Sequence, residues 1–273
     1  MTEELGSLVH TFSSMGTVVT IHVVGYGATY EQRLERERAI ERAAKWFRRI
    51  ETTCTKFDPQ SEVMQLRAHV GKPVRASAVV LEVVHFALAV AEESGGAFDP
   101  TVDAAGYRDV HVDLIKKTIT LDRPHVLDLG AVAKGLAIDT AVRELEPYEN
   151  YVIDAGGDLY CAGRNANNEP WSVGIRHPRE EGELLDTLRV SDTAVCTSGD
   201  YERGEHIKDP RTGAPATRVA SATVMAKSAM VADALATAAF VLGPVEGIAL
   251  LERHGVIGFI VTPSLERFAT RAS

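Results

Sequence analysis

The chain has 273 residues, 45% of them apolar and 25% charged, which is the composition of a soluble globular protein with a sizeable core. Lys and Arg total 29 against 38 Asp and Glu, and the net charge of -9 argues against a nucleic-acid partner. Three scattered cysteines exclude a disulfide framework and a thiolate zinc site.

The start of the chain and its hydropathy predict where the protein works. No secretory signal pattern is present at the N-terminus. The longest apolar stretch, residues 78–91, is too short to span a bilayer and is interrupted by Glu82 and His85. We therefore expect a cytoplasmic protein without membrane insertion.

Hydrophobic patterning predicts the secondary structure in chain order. Residues 17–24 are rich in β-branched side chains and predict a strand. Helical spacing of apolar residues follows over 28–53, and a second helix is predicted over 78–94, ending at two glycines. Short strands are then predicted at 110–112, 118–121, 151–153, 171–175, 187–190, 194–197, 219–225 and 256–261, with helices near 131–145, 229–242 and 245–253.

Runs of adjacent strands interrupted by helices favour an α+β fold over a strictly alternating one. We expect a single domain over residues 1–273. Its mixed β-sheet core is formed by residues 8–27 and 110–273, with flanking helices and a small helical lobe near residues 28–100.

Common catalytic signatures are absent from the sequence. It contains no phosphate-binding P-loop, no HExxH metal motif, no GxSxG nucleophile elbow and no complete dinucleotide fingerprint.

Three glycine-rich segments are candidates for chemistry. Residues 94–102 (SGGAFDPTV) leave Asp99 near a helix C-terminus, as a turn residue or as a ligand contact. In residues 127–135 (LDLGAVAKG), Asp128 and Lys134 flank a helix start that favours phosphate, although a helix N-terminal acid and a surface lysine explain the pattern equally well. Residues 153–159 (IDAGGDL) indicate either close approach of a ligand or a tight hairpin.

Two further segments carry side chains suited to proton transfer and metal binding. Residues 197–214 form a long polar loop in which His206 can move a proton near neutral pH, although part of it is also an ordinary β-turn sequence. In the helix predicted over 229–242, Asp233 and Thr237 are i and i+4 on one apolar face. Mg²⁺ would satisfy both oxygens, whereas a backbone bond for Thr237 and an arginine for Asp233 would serve without metal.

In this order, the segments DPTV, DLGAVAKG, AGGD, HIKDPRTG and ADALATA resemble the ApbE family of FAD:protein FMN transferases. Further matches at 14–17, 55–66, 171–178 and 221–243 extend the resemblance over nearly the whole chain. It implies a Mg²⁺-dependent enzyme that takes FAD as substrate, moves its FMN half onto a Thr or Ser hydroxyl of an acceptor flavoprotein and releases AMP. An FAD pyrophosphatase giving FMN and AMP, and a non-catalytic FAD-binding protein, are the alternatives.

The resemblance also implies site residues. The metal ligands fall on the Ala131 carbonyl and the Asp233 and Thr237 side chains, and His206 falls where a base would deprotonate the acceptor hydroxyl. The implied FAD contacts are Met15, Phe57, Ala97, Phe98, Asp99, Asp128, Lys134 and Ile207. The chain departs from the family in a shortened stretch after Val102, in Phe57 where tyrosine is common, and in lacking the lipoprotein leader of many relatives.

Overall fold

The computed structural model describes residues 6–25, 27–201 and 207–271. The helices are α1 (Tyr30–Cys54), α2 (Glu62–Arg67), α3 (Ala78–Glu93), α4 (Gly130–Leu145), α5 (Ala229–Leu242) and α6 (Pro244–Arg253), with a 3₁₀ turn at Gly106–Asp109. The strands are β1 (Ser7–Ser14), β2 (Thr17–Val24), β3 (Val74–Arg75), β4 (Val110–Asp113), β5 (Thr118–Leu121), β6 (Tyr151–Ala155), β7 (Asp158–Ala162), β8 (Trp171–Arg176), β9 (Leu184–Val190), β10 (Thr193–Gly199), β11 (Ser221–Ala226), β12 (Ile257–Val261) and β13 (Arg267–Ala269).

The main sheet has eight strands in the order β1-β2-β6-β7-β10-β11-β12-β13. The α+β class is confirmed, but every strand pairing within the described ranges is antiparallel, where we expected a mixed sheet. Tight turns explain part of the difference, because strands joined by two residues can only run antiparallel. Met15 and Gly16 join β1 to β2, and Gly156 and Gly157 join β6 to β7, all four with positive φ.

One face of this sheet is covered by helices. Helices α4 and α5 pack on it and on each other, α1 packs on α4, and α6 lies against β12. Helix α1 begins with a capping box at Thr29 and buries a stripe from Ala39 to Cys54. The helices of the expected lobe near residues 28–100 therefore share one hydrophobic core with the sheet.

The other face of the sheet carries the two-stranded β8–β9 hairpin. Val173 and Ile175 of β8 pack with Cys161, Val195 and Phe259 of the main sheet in a smaller second core. A third, small sheet has the order β3-β5-β4. No helix in the described ranges is long and apolar enough to cross a membrane.

Candidate functional site

A cleft of about 1060 Å³ opens between strands β2, β6, β7, β8 and β10 and helices α4 and α5. Ten of the twelve site residues expected from the sequence line it, from five separate stretches of the chain. They are Met15, Ala97, Phe98, Asp99, Asp128, Ala131, Lys134, Ile207, Asp233 and Thr237. Their roles stay predictions. Of the other two, Phe57 lies outside the cleft wall, and His206 lies outside the described residues.

The candidate metal ligands meet because α4 and α5 approach closely at Gly135. A Cβ on Gly135 would lie 2.6 Å from the Ala229 carbonyl oxygen and would also collide with the Met230 backbone. Ala131 is one turn before this contact on α4, and Asp233 is one turn after Ala229 on α5. Glycine at 135 therefore brings the Ala131 and Asp233 sides of the two helices onto one cleft wall.

Asp233 and Thr237 keep the i, i+4 relation expected from the sequence. Asp233 is buried, and the Thr237 hydroxyl lies 3.1 Å from the hydroxyl of Ser198 on β10. A hydroxyl oxygen that binds a cation needs an acceptor for its own proton, and Ser198 is placed to accept it. Ser198 was not among the residues expected from the sequence.

Lys134 forms an ion pair with Asp158, whose side chain is only 4% exposed. Burial alone would lower the pKa of Lys134, but attraction by the Asp158 and Asp233 carboxylates outweighs burial and raises the pKa above its ordinary value. Asp158 also accepts a hydrogen bond from the Thr197 N–H at 3.2 Å. Lys134 is therefore neither a surface lysine nor an uncompensated positive charge, because Asp158 pairs with its ammonium and Asp233 attracts it.

Asp128 has two partners at the start of α4. Its carboxylate accepts a 3.1 Å bond from the Gly130 N–H and pairs with Lys56 at 2.5 Å. The Lys56 ammonium lies 5.3 Å from the ring centroid of Phe57, which is 86% exposed. Lys56 thus links the Phe57 ring to Asp128 at the cleft, while the ring itself is open to solvent.

Asp99 organises the turn after α3. Its carboxylate accepts bonds from the Thr101 N–H at 2.9 Å, the Thr101 hydroxyl at 2.7 Å and the Tyr107 N–H at 3.2 Å. Asp99 is therefore a turn residue, as one of the two sequence interpretations expected, and it also lines the cleft.

His125 holds the stretch after Val102 in place. Its Nδ1 lies 3.0 Å from an Asp103 oxygen and its Nε2 lies 2.7 Å from an Asp109 oxygen. Burial lowers the pKa of His125, but the bonds to Asp109 and Asp103 outweigh it and raise the pKa above its ordinary value.

Residues 209–213 form a compact turn. Arg211 makes a bidentate ion pair with Asp209, with both N–O distances at 2.9 Å, and the Gly213 N–H donates to the Asp209 carbonyl. The β-turn interpretation of this stretch fits the geometry, while Ile207 and Lys208 line the cleft.

The charge and donor set of the cleft suit a hard cation. The described lining residues include five carboxylates and three cationic side chains, namely Asp99, Asp128, Asp154, Asp158, Asp233, Lys134, Arg176 and Lys208. Over the same described ranges, no three His, Cys, Asp or Glu side chains gather to hold a metal. A cation beside Asp233 would therefore draw on hydroxyl and carbonyl oxygens as well, and such all-oxygen sets are those that Mg²⁺ accepts.

The fold places the protein in the structural class of the ApbE proteins. A crystal structure of the ApbE protein from Thermotoga maritima has a TM-score of 0.85 and 28% identity, and covers 97% of both chains. The flavin transferase ApbE from Vibrio cholerae also gives a TM-score of 0.85, with 25% identity and the same coverage.

The chain belongs to the ApbE family. The family model matches residues 15–105 and 102–260. The FAD:protein FMN transferase of Treponema pallidum is 32% identical over 260 residues, covering 74% of this chain and 71% of the relative. The enzyme of that name from Vibrio cholerae is 33% identical over 176 residues, covering 60% of this chain. The chain spans about half the length of that relative and of the Haemophilus influenzae one, since each is covered to 53%.

Proposed function

We propose that the protein is an FAD:protein FMN transferase, which moves the FMN half of FAD onto a Thr or Ser hydroxyl of an acceptor flavoprotein and releases AMP. Family membership and the names of the relatives support a flavin transferase. The observation that carries the proposal is the convergence of ten expected site residues on one cleft. The cleft volume of about 1060 Å³ exceeds the usual range for small-ligand pockets, so it has room for a dinucleotide.

Mg²⁺ is part of this proposal, held by the side chains of Asp233 and Thr237 and the carbonyl of Ala131. When bound, the ion neutralises diphosphate charge and stabilises the departing AMP oxygen. Five carboxylates on the cleft wall would otherwise repel an anionic diphosphate, which supports a cation at this place.

Side chains of the protein would supply charge compensation and a base for the acceptor hydroxyl. The Lys134 ammonium, held by Asp158, offsets part of the carboxylate charge near Asp233 and so lowers the repulsion that a diphosphate would meet. The acceptor hydroxyl attacks the FMN phosphorus as the bond to the AMP oxygen breaks, and its proton needs a base. Histidine can exchange a proton near neutral pH, so His206 is the predicted base, and this assignment stays a prediction.

The test is incubation with FAD, Mg²⁺ and a candidate acceptor flavoprotein. Flavin fluorescence that stays with the denatured acceptor, together with AMP release, is the expected result. Free FMN and AMP without labelled acceptor would identify a pyrophosphatase instead. Intact FAD that remains bound would identify a non-catalytic flavin-binding protein.

A matched pair of variants tests the metal assignment. Asp233→Asn keeps the side-chain shape and removes the charge, so we expect AMP release to fall at least 100-fold and its Mg²⁺ dependence to weaken. Asp122→Asn removes a half-exposed carboxylate outside the cleft lining and should leave both unchanged. Unchanged turnover in Asp233→Asn would refute the assignment.

A further inference from the structure

The first turn of α5 is tied to α4 through one carboxylate. Asp139 lies on α4 two turns after Ala131. It accepts bonds from the Ser228 hydroxyl at 2.6 Å, the Ala229 N–H at 2.7 Å and the Met230 N–H at 3.0 Å. These bonds satisfy amides that a helix start leaves unpaired, and they place a negative charge at the positive end of α5.

Two backbone donors and one side-chain donor restrain the position and the rotation of α5 as well as its distance from α4. Because Asp139 uses both carboxylate oxygens, α5 can neither slide along α4 nor turn about its own axis without breaking a bond. The Ser228 hydroxyl also accepts from the Val231 N–H at 3.3 Å, so the N-cap of α5 is part of the same network.

Gly135 lies between this network and the candidate cation site. Its lack of a side chain lets α4 touch the Ala229 and Met230 backbone. One turn on either side of Gly135 along α4 are Ala131 and Asp139. The Asp139 contact and the Ala131 carbonyl therefore lie on opposite sides of the point where α4 and α5 cross.

We propose that Asp139 is a positioning residue for the cation site, which fixes the α5 ligands Asp233 and Thr237 against the Ala131 carbonyl of α4. The inference rests on the proposed function, because it takes these three oxygens as the ligands. Mg²⁺ demands near-ideal geometry at short distances, so a small slip of α5 separates ligands that come from two helices. Asp139 itself touches neither metal nor substrate.

The test is direct metal binding without substrate. Mn²⁺ is titrated into the purified full chain and free Mn²⁺ is followed by electron paramagnetic resonance, with Mg²⁺ competition. Outer partners of metal ligands change affinity by roughly 10- to 100-fold. We expect about a 10-fold or greater loss in Asp139→Ala and a smaller loss in Asp139→Asn, which keeps one acceptor oxygen for α5.

Thr140→Ala is the matched control, because the buried Thr140 hydroxyl donates within its own helix, to the Leu136 carbonyl at 2.8 Å, and has no other hydrogen bond among the described residues. It removes a buried polar group from α4 without touching α5 and should keep wild-type affinity. Near-UV circular dichroism confirms that each variant is folded at the titration temperature. Equal Mn²⁺ affinity in wild type, Asp139→Ala and Thr140→Ala would overturn the positioning role alone. Absence of binding in the wild type would overturn the cation site itself.

Discussion

Replacing Asp158 by alanine removes the main partner of the Lys134 ammonium. The two side chains are 23% and 4% exposed, so the pair is largely desolvated. Removing one partner of a buried pair costs about 3–5 kcal/mol, and Asp233 still attracts Lys134, so we expect about 3 kcal/mol. At about 2–4 °C per kcal/mol for a chain of this size class, the melting temperature falls by about 6–12 °C.

Urea unfolding followed by tryptophan fluorescence measures this loss, and a double variant isolates the pair. Lys134→Met combined with Asp158→Ala should lose less than the sum of the two single losses, because the double change leaves no uncompensated charge. Glu37→Ala is the control, since it breaks an exposed pair with Arg33 and should change stability little. Strictly additive losses, or equal losses in Asp158→Ala and Glu37→Ala, would refute the reasoning.

Three other outcomes are expected. The pKa of His125 is raised in the folded protein, so the stabilisation from its bonds is fully present below about pH 6.5 and is lost as the pH rises through the folded pKa. The difference in urea midpoint between wild type and His125→Gln should therefore shrink from about pH 6 to about pH 9. A constant difference would contradict this. Gly135→Val should lower stability by about 1–3 kcal/mol through overpacking against Met230 and should weaken Mn²⁺ binding; wild-type affinity in a folded variant would be inconsistent with the close crossing. Phe57→Ala should leave the melting temperature unchanged, because the ring is 86% exposed, but should raise the KM for FAD; an unchanged KM would remove Phe57 from the proposed FAD contacts.

Helix α5 was predictable from the sequence to the residue, whereas some short or edge elements were not. Ser228 accepts from the Val231 N–H as an N-cap, and Gly243 ends the helix with a φ of 85°, so local chemistry sets both boundaries. Strand β1 lies at an edge of the main sheet beside β2. Residues 8–27 were expected in the sheet core, but the polar, half-exposed residues of β1 hide the alternation that would mark it as a separate strand. Helix α2 has six residues, too few for a helical period to be detected.

The candidate site was predictable as a set of positions but not as a set of pairs. Asp233 and Thr237 are neighbours on one helix, so their spacing alone places them together. Lys56 and Asp128 are 72 residues apart, and Ser228 and Asp139 are 89 apart, so only the tertiary fold selects these partners. The IDAGGDL segment did draw attention to Asp158, but nothing in that pattern indicates that its carboxylate holds Lys134.

Because of the charge of the cleft, the binding of the proposed cation and the binding of the FAD diphosphate depend on each other. Among the described lining residues carboxylates outnumber cationic side chains by five to three, and Lys134 is already paired with Asp158. An anionic diphosphate that enters alone meets net repulsion, and a divalent cation reverses the sign of that interaction beside Asp233. Because such coupling is reciprocal, FAD must raise the affinity for the cation by the same factor as the cation raises the affinity for FAD. Removing the Asp233 charge breaks this coupling. We therefore expect Asp233→Asn to bind FAD equally tightly with and without Mg²⁺, and the wild type to bind FAD more tightly with Mg²⁺.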